Sequence, residues 1–256
     1  MKLPFLLNTS RAQAAAQEEP SAPLAYPWHR LLLGAVVVGL VALVAASQGT
    51  VGIPLATLVR MVAAKLPFLE VPQAWPDSWE AILWQLRMPR VVLAGLVGAA
   101  LAVSGAAYQG LFRNPLADPY LIGVAAGAAL GATVALVTPV PLYFHGLSVL
   151  PLAAFLGALS AVAAAYWIAR RSHGLHLTTL VLAGVAVGSL YAAVSRVLLL
   201  RTDPDLRPLL AWLLGTLGNS QWRDVLITLP YIALGTAVML AYGRLLNVLQ
   251  LDEEEA

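Results

Sequence analysis

The chain contains no cysteine. That excludes a disulfide, thiolate chemistry and any cysteine-held metal. Charge is also scarce: Asp, Glu, Lys and Arg make up 11% of the 256 residues, against about 25% in an ordinary soluble domain. The formal net charge is only +2 and no basic run occurs, which argues against a nucleic-acid partner. Recognisable chemical motifs are missing too. There is no GxxxxGK[ST], so the chain does not bind ATP through a P-loop, and neither HExxH nor GxSxG occurs. The four histidines (His29, His145, His173 and His176) stand singly near the ends of apolar runs. No set of acid, base and metal ligands marks an enzyme, and no metal or resident cofactor is expected.

What the chain has in abundance is apolar sequence: 60% hydrophobic residues and a mean hydropathy of +0.79. A helix needs about 20 apolar residues to cross a hydrocarbon core of about 30 Å. Six runs qualify, at roughly 31–47, 91–111, 120–138, 147–169, 177–200 and 225–242. They read as helices because lipid offers backbone groups no partners, and barrel strands would be shorter and alternating. The fold class is therefore all-α, a polytopic membrane bundle of six spans. Around it lie a polar N-terminal segment, 1–28, and an acidic tail, 247–256, with the membrane domain over 29–246. The tail is either solvated or the point where a longer chain is cut. The first span ends in Val-Ala-Ala-Ser, which also fits a cleaved signal sequence, although five further spans make the protein integral in either case.

Two long loops are expected, 48–86 and 201–224. The first carries Trp75, Trp79 and Trp84, which fit an interfacial aromatic belt or plain loop packing. The second has an apolar middle that suggests a short surface helix. Arg196 is the clear charge within a span and lies near its helix end, where snorkelling accounts for it. Orientation is weakly marked, because the loops on the two sides carry equal numbers of Lys and Arg. The short loop after Ala169 holds Arg170 and Arg171 and no acid, which favours a cytoplasmic N-terminus.

Residues 113–131, RNPLADPYLIGVAAGAALG, are the most informative stretch. Asp118-Pro119 is a helix-start signature, since Asp caps free N–H groups and Pro suits the first helical position. Asn114-Pro115 repeats the device four residues earlier. The stretch predicts a sharp turn at the membrane surface, with one helix ending near Phe112 and the next starting near Pro119. Gly123, Gly127 and Gly131 then form one stripe on the third helix. Ala94, Gly98, Ala102 and Ala106 share that spacing on the second, and Gly184 and Gly188 on the fifth. Small residues let helix backbones approach closely in lipid. Periodicity leaves two readings of these stripes open, helix packing or the lining of a path for cargo.

The segment LRMPRVVLAGLVGAALAVSGAAYQGLFRNPLADPYLIGVAAGAALGA, residues 86–132, closely resembles the FecCD-type permeases, the membrane subunits of ABC importers for iron–siderophore, haem and vitamin B12. LTTLVLAGVAVGSL (177–190) and WLLGTLGNSQWRDV (212–225) resemble further family segments in the same order. The resemblance implies the first part of a ten-helix permease that works as a homodimer in the cell membrane. It implies two partner ATPase subunits carrying ATP and Mg on the cytoplasmic face, a substrate-binding protein docking outside, and a cytoplasmic N-terminus. Arg87 and Arg90 then stand at the outer mouth, where such arginines meet acidic residues of the binding protein. Asn114, Pro115, Asp118 and Pro119 form a structural cytoplasmic turn.

The chain departs from the family in two ways. It stops after the sixth span, where the cytoplasmic coupling segment begins in relatives. It also reads GVAAGAALGA where many relatives have GVSSGAALGA, so two hydroxyls are missing. Two other functions compete. A six-span passive channel of the aquaporin kind needs two Asn-Pro-Ala half-helices, but here the single Asn-Pro is followed by Leu. A secondary transporter needs inverted repeats or ion-coupling residues at mid-membrane, and neither is visible.

Overall fold

The computed structural model describes residues 27–69, 71–138, 143–144, 147–171, 176–201 and 214–250. It divides into two compact units, Met1–Trp79 and Glu80–Ala256. In the first, α1 (Trp28–Ser47) is followed by the short amphipathic α2 (Leu55–Ala63). Pro54 sits just before α2, where a missing N–H does no harm. Leu58 and Met61 are buried on one face of α2, whereas α1 exposes Leu32, Val38 and Val41 along its length.

At the junction of the units, α3 (Asp77–Ala81) leads through a π-helical segment, Ile82–Arg87, into α4 (Met88–Phe112). The second unit continues with a 3₁₀ turn (Pro119–Ile122), α5 (Val124–Val137), a hairpin of β1 (Tyr143–Phe144) and β2 (Leu147–Ser148), α6 (Val149–Arg171), α7 (Leu177–Arg201), α8 (Trp222–Ala241) and α9 (Gly243–Gln250).

Five described helices are long and apolar enough to cross a membrane: Trp28–Ser47, Asp77–Phe112, Val149–Arg171, Leu177–Leu200 and Trp222–Ala241. The expected third span is built differently. Its continuous helix has only 14 residues, about 21 Å at 1.5 Å per residue. A 3₁₀ turn, Pro119–Ile122, precedes it. Gly123 joins the two with φ +81, a left-handed conformation that costs glycine nothing and other residues energy. The helix expected to start near Pro119 therefore starts at Val124. Asp118-Pro119 opens the 3₁₀ turn instead, with the Asp118 side chain accepting from the Tyr120 N–H at 2.8 Å.

The loop expected over 48–86 holds helical segments at both ends. Its charges and prolines interrupt the apolar run but do not stop a helix, so the second span begins ten residues before the arginines, at Asp77. Over 201–224, residues 202–213 lie outside the described part, as do 251–256 of the tail.

The heart of the second unit is a three-helix contact among α5, α6 and α7. Ala161, Ala165 and Ala169 of α6 pack against Ala183 and Val187 of α7. Gly127 and Gly131 of α5 lie on Gly157, Ala153 and Ala161 of α6. With nothing larger than a methyl group on most of the contact surface, backbones come close enough for dispersion to act without help from water. Ser160 and Tyr191 add a hydroxyl contact of 3.3 Å between α6 and α7. Separately, α8 and α9 pack on α4.

Candidate functional site

The two arginines and the Asn-Pro/Asp-Pro turn singled out in the sequence fall at the two ends of α4. That helix has 25 residues, so the ends are about 37 Å apart.

At its start, the order Trp84-Gln85-Leu86-Arg87-Met88-Pro89-Arg90 fixes the geometry. Proline gives no N–H and crowds the carbonyls one turn back. The helix responds by widening over Ile82–Arg87, where the Met88 N–H reaches the Leu83 carbonyl five residues earlier. Such π-bulges concentrate at functional positions. Pro89 itself is fully buried. Arg87 is 8% exposed, while Arg90, one turn on, is open to the surroundings. The two expected docking arginines thus present themselves differently, and Arg90 carries the accessible charge.

The start of α8 lies at the same end. Gln221 caps that helix and its backbone N–H donates to Asp224 Oδ2 at 2.9 Å, a reciprocal capping box. This places Trp222 in the first turn, and its indole Nε1 donates to the carbonyl oxygen of Trp84 at 2.7 Å. Sequence reasoning passed over this contact. Two signals for it were present, the proline inside an arginine-flanked helix start and the Gln-Trp-Arg-Asp capping pattern.

At the other end of α4, Arg113 adopts φ 48, the left-handed conformation that ends many helices. Asn114 and Asp118 then act alike. Asn114 Oδ1 accepts from the Leu116 N–H at 2.9 Å, and its carbonyl accepts from the Ala117 N–H at 3.0 Å. Asp118 Oδ1 accepts from Tyr120, and its carbonyl accepts from the Leu121 N–H at 3.0 Å. Pro115 and Pro119 follow them, their fixed φ suiting the first position of each turn. Two consecutive Asx turns therefore swing the chain from α4 into α5. Asp118→Ala removes one cap and should lower stability by about 1 kcal/mol, read as a drop in melting temperature in detergent. An unchanged melting curve would mean the cap contributes nothing.

The glycine stripe divides between two partners. A Cβ on Gly123 would stand 3.0 Å from the Gly184 carbonyl oxygen, and one on Gly184 would stand 2.5 Å from the Ile122 Cα. One on Gly127 would stand 2.7 Å from the Ala161 Cβ, and one on Gly131 would stand 2.8 Å from the Ala153 carbonyl carbon. Gly188 faces the Gly123 Cα. Gly123, Gly127, Gly131 and Gly184 are closed against neighbouring backbone, whereas a Cβ at Gly188 would make only ordinary contacts, at 3.4 Å or more. The stripe of Ala94, Gly98, Ala102 and Ala106, expected to pack in the same way, is exposed throughout, and a Cβ at Gly98 would meet nothing within 4 Å. Spacing says which residues share a face, and not whether this chain supplies the partner.

Arg196 is exposed on α7, five residues before Arg201. Arg171, at the end of α6, lies over the Trp167 ring at 3.8 Å, as a cation–π pair at a helix end would. His29 stands at the start of α1 and His176 just before α7, while His145 and His173 lie outside the described residues. Among the described residues no three His, Asp or Glu side chains gather as metal ligands would.

Comparison with known proteins gives a consistent picture. Residues 31–256 match the FecCD transport family. The cobalamin import system permease BtuC of Halobacterium salinarum is 43% identical over 205 residues, covering 80% of this chain and 53% of the relative. The hemin transport system permease HmuU of Yersinia pestis is 37% identical over 240 residues, covering 89% of this chain and 65% of the relative. A solved metal-chelate type ABC transporter in an inward-facing conformation superposes with a TM-score of 0.70 at 29% identity, over 90% of this chain and 67% of that one. The chain thus spans about half to two thirds of the length of these relatives.

Proposed function

The chain belongs to the FecCD transport family, and on that premise we propose that it serves as the membrane permease subunit of an ABC importer for a metal chelate, haem or cobalamin. The observation that carries this reading is the arrangement along α4, an accessible Arg90 on a π-bulged start and a double Asx turn at the far end. It occurs within a fold similar to that of a metal-chelate transporter. In the proposal the N-terminus is cytoplasmic and the Arg90 end faces outward.

A loaded substrate-binding protein docks there, and arginine is suited to that task because it stays charged and grips carboxylates with two N–H groups at once. Two copies of the permease enclose the path. Two ATPase subunits, binding ATP and Mg, press on the cytoplasmic face, and their closure switches the access of the path from one side to the other. The chain itself carries no hydrolytic role. The exposed apolar face of α7, with Leu182, Val185 and Leu190, fits a path or neighbour that holds a bulky cargo loosely. Its Gly184 is taken up in packing against the 3₁₀ turn, where a Cβ would stand 2.5 Å from the Ile122 Cα.

Uptake by sealed vesicles tests the reading. Vesicles with the permease, its ATPase and its binding protein should accumulate a radiolabelled ferric siderophore, haem or cobalamin only when ATP is supplied inside the compartment bearing the ATPase. Accumulation that ignores ATP, or that equilibrates without concentrating the label, would point to a passive channel.

A further inference from the structure

We propose that the outward face of α6 seats a net-anionic phospholipid, its acyl chain along an apolar ridge and its phosphate held by Arg170 and Arg171. The proposal needs only that α6 crosses a membrane, and it does not depend on the import reading.

Small residues settle the direction of α6. Ala161, Ala165 and Ala169 are fully buried and pack against Ala183 and Val187 of α7, while Gly157 lies on α5. On the side turned away from both neighbours, Leu152, Phe155 and Leu159 are each more than half exposed. Residues three and four apart share a helix face, so this ridge continues through Ala163 into Tyr166, Trp167 and Arg170, all exposed as well. From Leu152 to Arg170 it runs about 27 Å at 1.5 Å per residue, close to the hydrocarbon depth of about 30 Å. Large apolar residues come first, then Tyr and Trp, then Arg. A phospholipid has the same order from acyl chain through glycerol to phosphate, and Tyr and Trp favour the middle layer because each joins an apolar ring to a polar tip.

The charge points the same way. No Asp or Glu occurs between Pro119 and Thr202, so α6 and the two helices packed on it, α5 and α7, carry no carboxylate. Asp118, the acid just before this stretch, accepts from the Tyr120 N–H. Any counter-charge for Arg170 and Arg171 therefore comes from outside these three helices. Arg171 lies over the Trp167 ring, 3.8 Å from its centroid. The ring occupies one side of the cation and limits its rotamers, and guanidinium N–H groups remain to grip phosphate oxygens in pairs. A protein meeting these arginines from the aqueous side would leave the Leu and Phe ridge uncovered, whereas one lipid covers both. A zwitterionic headgroup brings its own cation beside the arginines, so an anionic headgroup such as phosphatidylglycerol is favoured.

The absence of native cysteine allows a bimane label at one chosen position. Ala163 is exposed on the same face, about two turns before Arg170. The labelled Ala163→Cys permease is placed in phosphatidylcholine vesicles that contain a small fraction of brominated phosphatidylglycerol or, in parallel, the same fraction of brominated phosphatidylcholine. Bromine quenching reads which lipid lies beside the label. Stronger quenching by phosphatidylglycerol is expected, corresponding to an enrichment of about fivefold for each arginine, and raised salt should narrow the difference. Arg170→Gln together with Arg171→Gln should remove it. Arg170→Lys together with Arg171→Lys, which keeps both charges, should retain most of it.

Equal quenching by the two lipids in the otherwise unaltered permease would overturn the proposal. So would a difference that survives the paired Gln substitutions, which would assign the attraction to charges elsewhere. If the Gln pair left the difference intact but kept the ATPase subunits from co-purifying, the arginines would belong to that protein contact and the lipid assignment would fail.

Discussion

Gly127→Leu should leave too little folded protein to purify, while Gly98→Leu should purify and melt like the unaltered chain. Both substitutions add the same side chain to a glycine in the middle of an apolar helix, so neither hydropathy nor helix propensity separates them. The neighbours do. At Gly127 a Cβ alone would fall 2.7 Å from the Ala161 Cβ and 2.9 Å from the Ala158 Cα, and would also strike the Gly157 carbonyl oxygen. Two of these are backbone atoms, which cannot turn away as a flexible side chain can. Extra methylenes forced into a packed contact typically cost about 1–3 kcal/mol. Here helices α5 and α6 would have to part along their length, so the cost lies at or above that range. At Gly98 nothing lies within 4 Å. Thermal unfolding in detergent checks the pair. Equal behaviour of the two variants would mean that the α5–α6 contact is not the one described.

Arg90→Glu should raise the half-saturating concentration of binding protein at least about tenfold, the change that 1.4 kcal/mol produces. The same substitution at Arg87 would mix docking with folding, because Arg87 is 8% exposed and a buried side chain exchanged for one of opposite charge disturbs the interior. Arg90 is exposed, so its reversal leaves the helix intact and changes only the charge offered to a partner. Rim charges act mainly through the association rate and its salt dependence. The loss should therefore appear as slower association, and raising the salt concentration should narrow the gap between the two proteins. A gap that does not change with salt would point to a change of shape at the π-bulge rather than of charge.

Much of the molecule could be read from residues alone, and what could not has identifiable causes. Spans that are simply apolar, such as Leu177–Leu200, were recovered at nearly their full length, because length and hydropathy are one-dimensional properties. The sharp turn at Asn114–Pro119 and the capping by Asp118 were likewise local enough to read, although what Asp118 caps is a 3₁₀ turn and the helix itself starts at Val124. The division of the glycine stripe was not. Gly123, Gly127 and Gly131 share one spacing, yet the first meets α7 and the others meet α6, because a left-handed Gly123 stands outside the helix that holds the other two. The outward-facing Ala94 and Gly98 show the same limit, since spacing carries no information about partners. The Trp222–Trp84 bond depends on a register change in one helix meeting the cap of another, and only the three-dimensional arrangement brings them together.

The most direct test of the account is ATP hydrolysis by the permease assembled with its ATPase subunits in lipid vesicles, measured with and without the loaded substrate-binding protein on the Arg90 side. A clear rise in the rate is expected when the binding protein is present, abolished at low binding-protein concentration by Arg90→Glu. A rate indifferent to the binding protein, together with chelate movement that needs no ATP, would contradict it.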